Sequence, residues 1–162
     1  MKNLVVIWAL FVAWPVLAQD GNWHVLEETN AMDGKKEVYL MLFAQNEVAG
    51  LFSPFTPVLG IKCSNGQTGV GVTGTGMLTF SGNVRVKFDN AAVAREFWNM
   101  GSGGGGLISP HAITLARKLT KTKIFLFEFS PVNHAKVVVT FDVRGLDKHL
   151  GKVAAACGWK LE

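Results

Sequence analysis

A chain of 162 residues fits one domain with a real core, and a formal net charge of +4 is ordinary for a soluble protein. Its two cysteines and four scattered histidines lack the spacing of metal ligands, so neither a metal centre nor a cofactor is expected. The local basic cluster of Lys118, Lys121 and Lys123 has none of the interleaved aromatics that hold single-stranded nucleic acid; it reads as a solvated face, and no nucleic-acid partner is expected.

The chain opens on Lys2 and an unbroken apolar run from Leu4 to Trp14. Pro15 ends the run, and Val16-Leu17-Ala18 sets small residues two apart ahead of Gln19, as a signal peptidase requires. The run is short of the roughly 20 residues that cross a hydrocarbon core of about 30 Å. Residues 1–18 therefore read as a cleavable secretory signal, with a tethered or buried N-terminal helix as the alternative. Cleavage removes Lys2, takes the formal charge from +4 to +3, and leaves 19–162 as a single exported β-rich domain, periplasmic or secreted. No later segment is apolar enough for a stable membrane span.

Strands come first. Trp23 to Ala31 and Glu37 to Ala44 are β-prone and flank Asp33-Gly34, a hairpin signal. Gln45 to Pro57, with two prolines and two phenylalanines, reads as a loop. In Val58 to Cys63 the residues Leu59, Ile61 and Cys63 share a face, and Asn65-Gly66 turns the chain into a glycine-rich strand from Gln67 to Thr75. Val84, Val86 and Phe88 alternate with Arg85, Lys87 and Asp89, the pattern of a strand with one wet face. The tract Gly101 to Gly106 lacks the lysine of a phosphate-binding loop and reads as a flexible connector.

Ser109-Pro110 supplies an N-cap and first-turn proline for a short helix with Ala112, Leu115, Ala116 and Leu119 on one face. Phe125, Phe127 and Phe129, then Val137, Val139, Phe141 and Val143, form the best hairpin of the chain. A last helix from about Leu146 aligns Leu150, Val153 and Cys157 and stops at Gly158. The expected fold is mainly β, an antiparallel β-sandwich or curled sheet with two short helices. Export places Cys63 and Cys157 where thiols oxidise, so a disulfide pinning the last helix to the sheet is expected; two buried free thiols are the alternative.

No nucleophile elbow, zinc-protease motif or cysteine beside a basic partner occurs. His24, His111, His134 and His149 read as solvated or capping side chains, and Asp142 as a cap or partner of Arg144. No catalytic residue is assigned. Two segments stand out as recognition loops, Leu51 to Phe55 and Phe97 to Leu107, and they nominate Phe52, Phe55, Trp98 and Ser102 as binding residues.

Several stretches carry a family resemblance: Leu59-Gly60-Ile61-Lys62-Cys63-Ser64-Asn65-Gly66-Gln67-Thr68, Phe97-Trp98 before a Ser/Gly loop, Leu107-Ile108-Ser109-Pro110, Phe125 to Pro131, Val139-Thr140-Phe141-Asp142-Val143-Arg144-Gly145-Leu146, and Ala156-Cys157-Gly158-Trp159. From about Trp23 to Trp159 the chain resembles the VasI/TagO-like family of small exported proteins associated with type VI secretion, departing from it in Gly103 to Gly106 and Leu51 to Phe55. The resemblance implies a non-enzymatic binding or assembly protein with an envelope or secretion-system partner. The alternative is an inhibitor or ligand-binding protein acting on a cell-wall enzyme.

Overall fold

A computed structural model of the protein describes residues 22–50, 53–74, 82–101, 103, 105–131 and 135–161. The expected signal segment, Phe52, Ser102 and His134 lie outside the described residues. Among the described residues ten strands form two antiparallel sheets. Strand β1 (His24–Thr29), β2 (Lys36–Phe43), β3 (Val58–Ser64) and β4 (Gln67–Thr73) make a meander. The chain then enters the second sheet as β5 (Asn83–Phe88) and β6 (Ala94–Phe97), and returns as β7 (Asn99–Met100) and β8 (Gly106–Ile108). After helix α1 (Ala112–Leu119) come β9 (Ile124–Phe129) and β10 (Val137–Asp142), then helix α2 (Leu150–Cys157). The large sheet has the order β1-β2-β3-β4-β8-β7 and the small one β10-β9-β5-β6.

Alternation builds the core. Leu40, Leu59, Ile61, Val70 and Val72 point inward from the large sheet, and Val84, Val86, Phe125, Phe127 and Phe141 point inward from the small one, into one continuous cluster. Both helices pack on the large sheet, α1 on β4 and α2 on β2 and β3. Leu150, Val153 and Ala154 are the buried face of α2. The fold is thus mainly β, and the disulfide forms: Cys63 of β3 is bonded to Cys157 of α2, with Cα atoms 5.7 Å apart. It closes a loop of 94 residues and ties the last helix to the sheet.

The turns follow their residue types. Asn65 and Gly66 both take positive φ (51° and 72°), which matches the twist of the β3–β4 hairpin. Three elements differ from expectation. The final helix begins later: Leu146–Lys148 is a 3-10 turn entered through Gly145 at φ 81°, and α2 starts only after His149, at φ −114°, breaks the helical path. Ser109 is buried and its hydroxyl accepts the backbone N–H of His111, so it shapes the turn ahead of α1, which starts at Ala112 with no side-chain cap. The glycine tract is the connection of a sheet hairpin. Gly101 N–H donates to the Gly106 carbonyl, and Gly74 N–H to that of Gly105, drawing β7 and β8 onto the edge of β4.

Candidate functional site

The outward residues of the large sheet leave a shallow groove of about 250 Å³. Register builds it: Met41 of β2, Gly60 of β3, Gly71 of β4 and Ile108 of β8 stand directly opposite one another. In the next row Tyr39 faces Lys62, and Lys62 faces Gly69. Three glycines therefore floor a strip bordered by Tyr39, Met41 and Ile108.

One of those glycines has a steric reason. A Cβ at Gly71 would stand 2.8 Å from the Leu107 carbonyl oxygen, so glycine is what lets β8 close on β4. At Gly69 the nearest atom to an added Cβ is Cε of the Lys62 side chain, an ordinary contact at 3.4 Å. Gly60 has no such reason. The nearest atom to a Cβ there is the Gly71 carbonyl oxygen, 3.9 Å away. Glycine inside a strand costs about 0.5–1 kcal/mol relative to alanine, so Gly60 weakens β3 and keeps the groove open.

One end of the groove is polar and fixed. The Tyr39 hydroxyl donates to the Glu37 carboxylate at 2.6 Å, and Ser64 Oγ donates to the other oxygen at 3.1 Å. The Tyr39 bond, then the Ser64 bond, hold the Glu37 carboxyl below the usual range, and the same hydrogen bond to Glu37 raises the Tyr39 phenol in turn. Lys62 is exposed beside this end and forms no ion pair among the described residues.

Of the four binding residues nominated by the sequence, two are described, and both are packed inside. Phe55 is buried and bridged through its backbone to Val48, and its ring fills the space above Gly74. Trp98 is 0% exposed. It stands where the chain passes from β6 to β7, its backbone N–H bonded to Gly82, its indole N–H to the Glu96 carboxylate at 2.8 Å, and its ring 4.8 Å from that of Phe127. The exposed aromatic of that segment is Phe97. The sequence marks Phe97 only as the start of a recognition loop and Gly60 not at all; the signal available for Gly60 is an apolar strand, Val58 to Cys63, interrupted at its centre by glycine.

No group of three metal-capable side chains forms among the described residues. Asp142 pairs with Arg144, as one reading of the sequence had it: Arg144 Nε donates at 2.7 Å and its backbone N–H also donates, which keeps the Asp142 carboxyl below the usual range. His24 and His111 are exposed and His149 half-buried. No helix among the described residues is long and apolar enough to cross a membrane.

Fold and surface define a disulfide-stapled antiparallel sandwich with an open sheet face. No family model and no curated protein matches the chain. Among solved structures, that of invasion associated protein B from Bartonella henselae is similar over 84% of this chain and 94% of its own, with a TM-score of 0.52 and 14% sequence identity. At that identity the likeness is one of fold.

Proposed function

We propose that the protein is an exported, non-enzymatic binding protein, accessory to type VI secretion or a related envelope process, that captures a partner protein on the outer face of the large sheet. The observation that carries the reading is Gly60, a residue that weakens its strand, is required by neither backbone conformation nor close packing, and keeps open the floor of a half-exposed apolar groove. The groove suits an extended partner segment that places an apolar side chain between Met41 and Ile108 and an acidic one against Lys62. Strand residues on a rigid sheet hold such a surface without ordering entropy at the moment of binding. The Bartonella chain, by its name, is associated with invasion, and its likeness to this chain is one of fold.

The test is a gene deletion complemented with wild type or with Gly60→Val, read as export of the secretion tube subunit and as photo-crosslinking from position 41. A Cβ at position 60 meets nothing nearer than the Gly71 carbonyl oxygen at 3.9 Å, so a valine side chain has room to enter the groove. The expected result is a variant that melts like wild type, fails to complement and loses its crosslinked partner. Normal export in the deletion strain, or full complementation by Gly60→Val, overturns the proposal.

A further inference from the structure

The outer face of the small sheet holds a second arrangement that the reading above does not use. Val138, Glu128, Arg85 and Arg95 stand directly opposite one another across β10, β9, β5 and β6. Glu128 grips Arg85 with both oxygens: Arg85 Nε donates to Oε1 at 2.7 Å and Nη2 donates to Oε2. That pair engages two of the five N–H donors of a guanidinium and fixes its plane. Arg95 has no corresponding carboxylate; its guanidinium forms neither hydrogen bond nor ion pair among the described residues.

Like charges directly opposite on neighbouring strands repel one another. Glu128 balances Arg85 in this row, which leaves Arg95 as a cation beside it with no carboxylate of its own among the described residues. A third cation joins them. Lys136 Nζ lies 3.9 Å from Glu128 Oε1, beyond hydrogen-bond distance, with 68% of its side chain exposed. The three cations line an open cleft of about 280 Å³ together with Asn83 and Ser130. Glu96 also borders it, but its carboxylate accepts the indole N–H of Trp98. Beyond Arg95 on the same face of β6, Phe97 is 62% exposed. Its ring rests over Gly82, where a Cβ would lie 3.1 Å from the ring and 1.9 Å from the Trp98 carbonyl oxygen, so the ring is held against bare backbone.

We infer that this cleft binds the acidic groups of an anionic polysaccharide, one carboxylate or phosphate seated between Arg85 and Arg95 within reach of Lys136, with a sugar ring lying against Phe97. Guanidinium forks match carboxylate and phosphate geometry, and the Glu128 clamp orients one fork in advance. The cleft is just below the range of about 300–1,000 Å³ that encloses whole small ligands, a size suited to one charged unit of a longer chain. Among the described residues one exposed ring borders the cleft, which suits a sugar better than successive stacked bases. Because β6 is a sheet edge, a polymer can run past the cleft on its open side.

The experiment measures binding of the full-length purified protein to fluorescent oligogalacturonate and to a phosphorylated oligomannose, with maltotetraose as the neutral control. Wild type is expected to bind at least one acidic sugar and not the neutral one, and binding should weaken as salt screens the charges. Arg95→Gln should weaken binding at least tenfold while leaving the melting temperature unchanged, since the Arg95 guanidinium holds no hydrogen bond or ion pair among the described residues. Lys121→Gln, at the end of α1, should change binding less than twofold. Equal losses in the two variants would show diffuse charge attraction and overturn the site. So would an absence of binding to both acidic sugars at millimolar concentration. Tighter Arg95-dependent binding to phosphatidylglycerol vesicles, single-stranded DNA or polyglutamate than to either sugar would assign the cleft to another polyanion and overturn the polysaccharide.

Discussion

The two sheets bury their inner faces by the same alternation and then use their outer faces in opposite ways. On the large sheet the outward row runs Met41, Gly60, Gly71, Ile108, low in relief and almost free of charge apart from Lys62 in the next row. On the small sheet it runs Val138, Glu128, Arg85, Arg95, with Lys87 beside it. Inward positions leave little choice, since each must be apolar and of fitting volume. Outward positions are where the chain tolerates residues that do nothing for stability. Gly60 and Arg95 are the clearest of these, one a bare backbone in mid-strand and the other a cation with no carboxylate of its own among the described residues. Residues kept without a local requirement are the ones to suspect of function.

The comparison is tested first where the two sheets meet. Trp98→Ala should cost about 3–5 kcal/mol by urea denaturation, because the ring packs between the sheets, whereas its exposed neighbour Phe97→Ala should stay within about 0.5 kcal/mol. Similar costs for the two would mean that the chain crosses between the sheets without Trp98 as its anchor. The disulfide comes next. Cys157→Ser should lose roughly 2–5 kcal/mol, and hydrogen exchange should rise most in β2, β3 and α2, the elements that the bond holds together. Equal loosening of β9 and β10 would show that the staple serves both sheets alike. The smallest effects separate the glycines of the groove. Gly71→Val should cost about 1–3 kcal/mol by forcing β8 away from β4, while Gly60→Val should be neutral or gain up to about 1 kcal/mol. If the two valines cost the same in thermal melts, Gly60 is structural and the asymmetry between floor and function disappears.

Much of the fold was legible because it rests on short-range pattern. Leu59, Ile61 and Cys63 on one face, Phe125, Phe127 and Phe129 on another, and the Asn65-Gly66 turn all came through as read. The strands β6, β7 and β8 did not. They are two to four residues long, and one begins at glycine, so β6 pairs only because β5 presents an edge to it, β8 because β4 does, and β7 because β8 is already in place. Ser109-Pro110 looked like a helix cap because those residue types cap helices, yet burial of Ser109 turned its hydroxyl to a tight turn. The candidate surfaces were the least legible part. Aromatics beside loops suggested Phe55 and Trp98, but an aromatic ring buries more apolar area than any other side chain, and both rings went to the core.

By itself, the sequence determined which residues face inward on the longer strands, that Cys63 belongs to the core and that Cys157 packs toward it, because alternation and stripe are set by covalent neighbours. Only the tertiary structure decided which of the other strands stand side by side, and so brought Gly71 against Ile108, and Arg85 against Glu128 on one side and Arg95 on the other. Cross-strand register is a property of the whole assembled sheet, fixed by turn geometry and by the packing of every inward face at once. No window along the chain contains that information, which is why both candidate surfaces came into view only after the sheets were assembled.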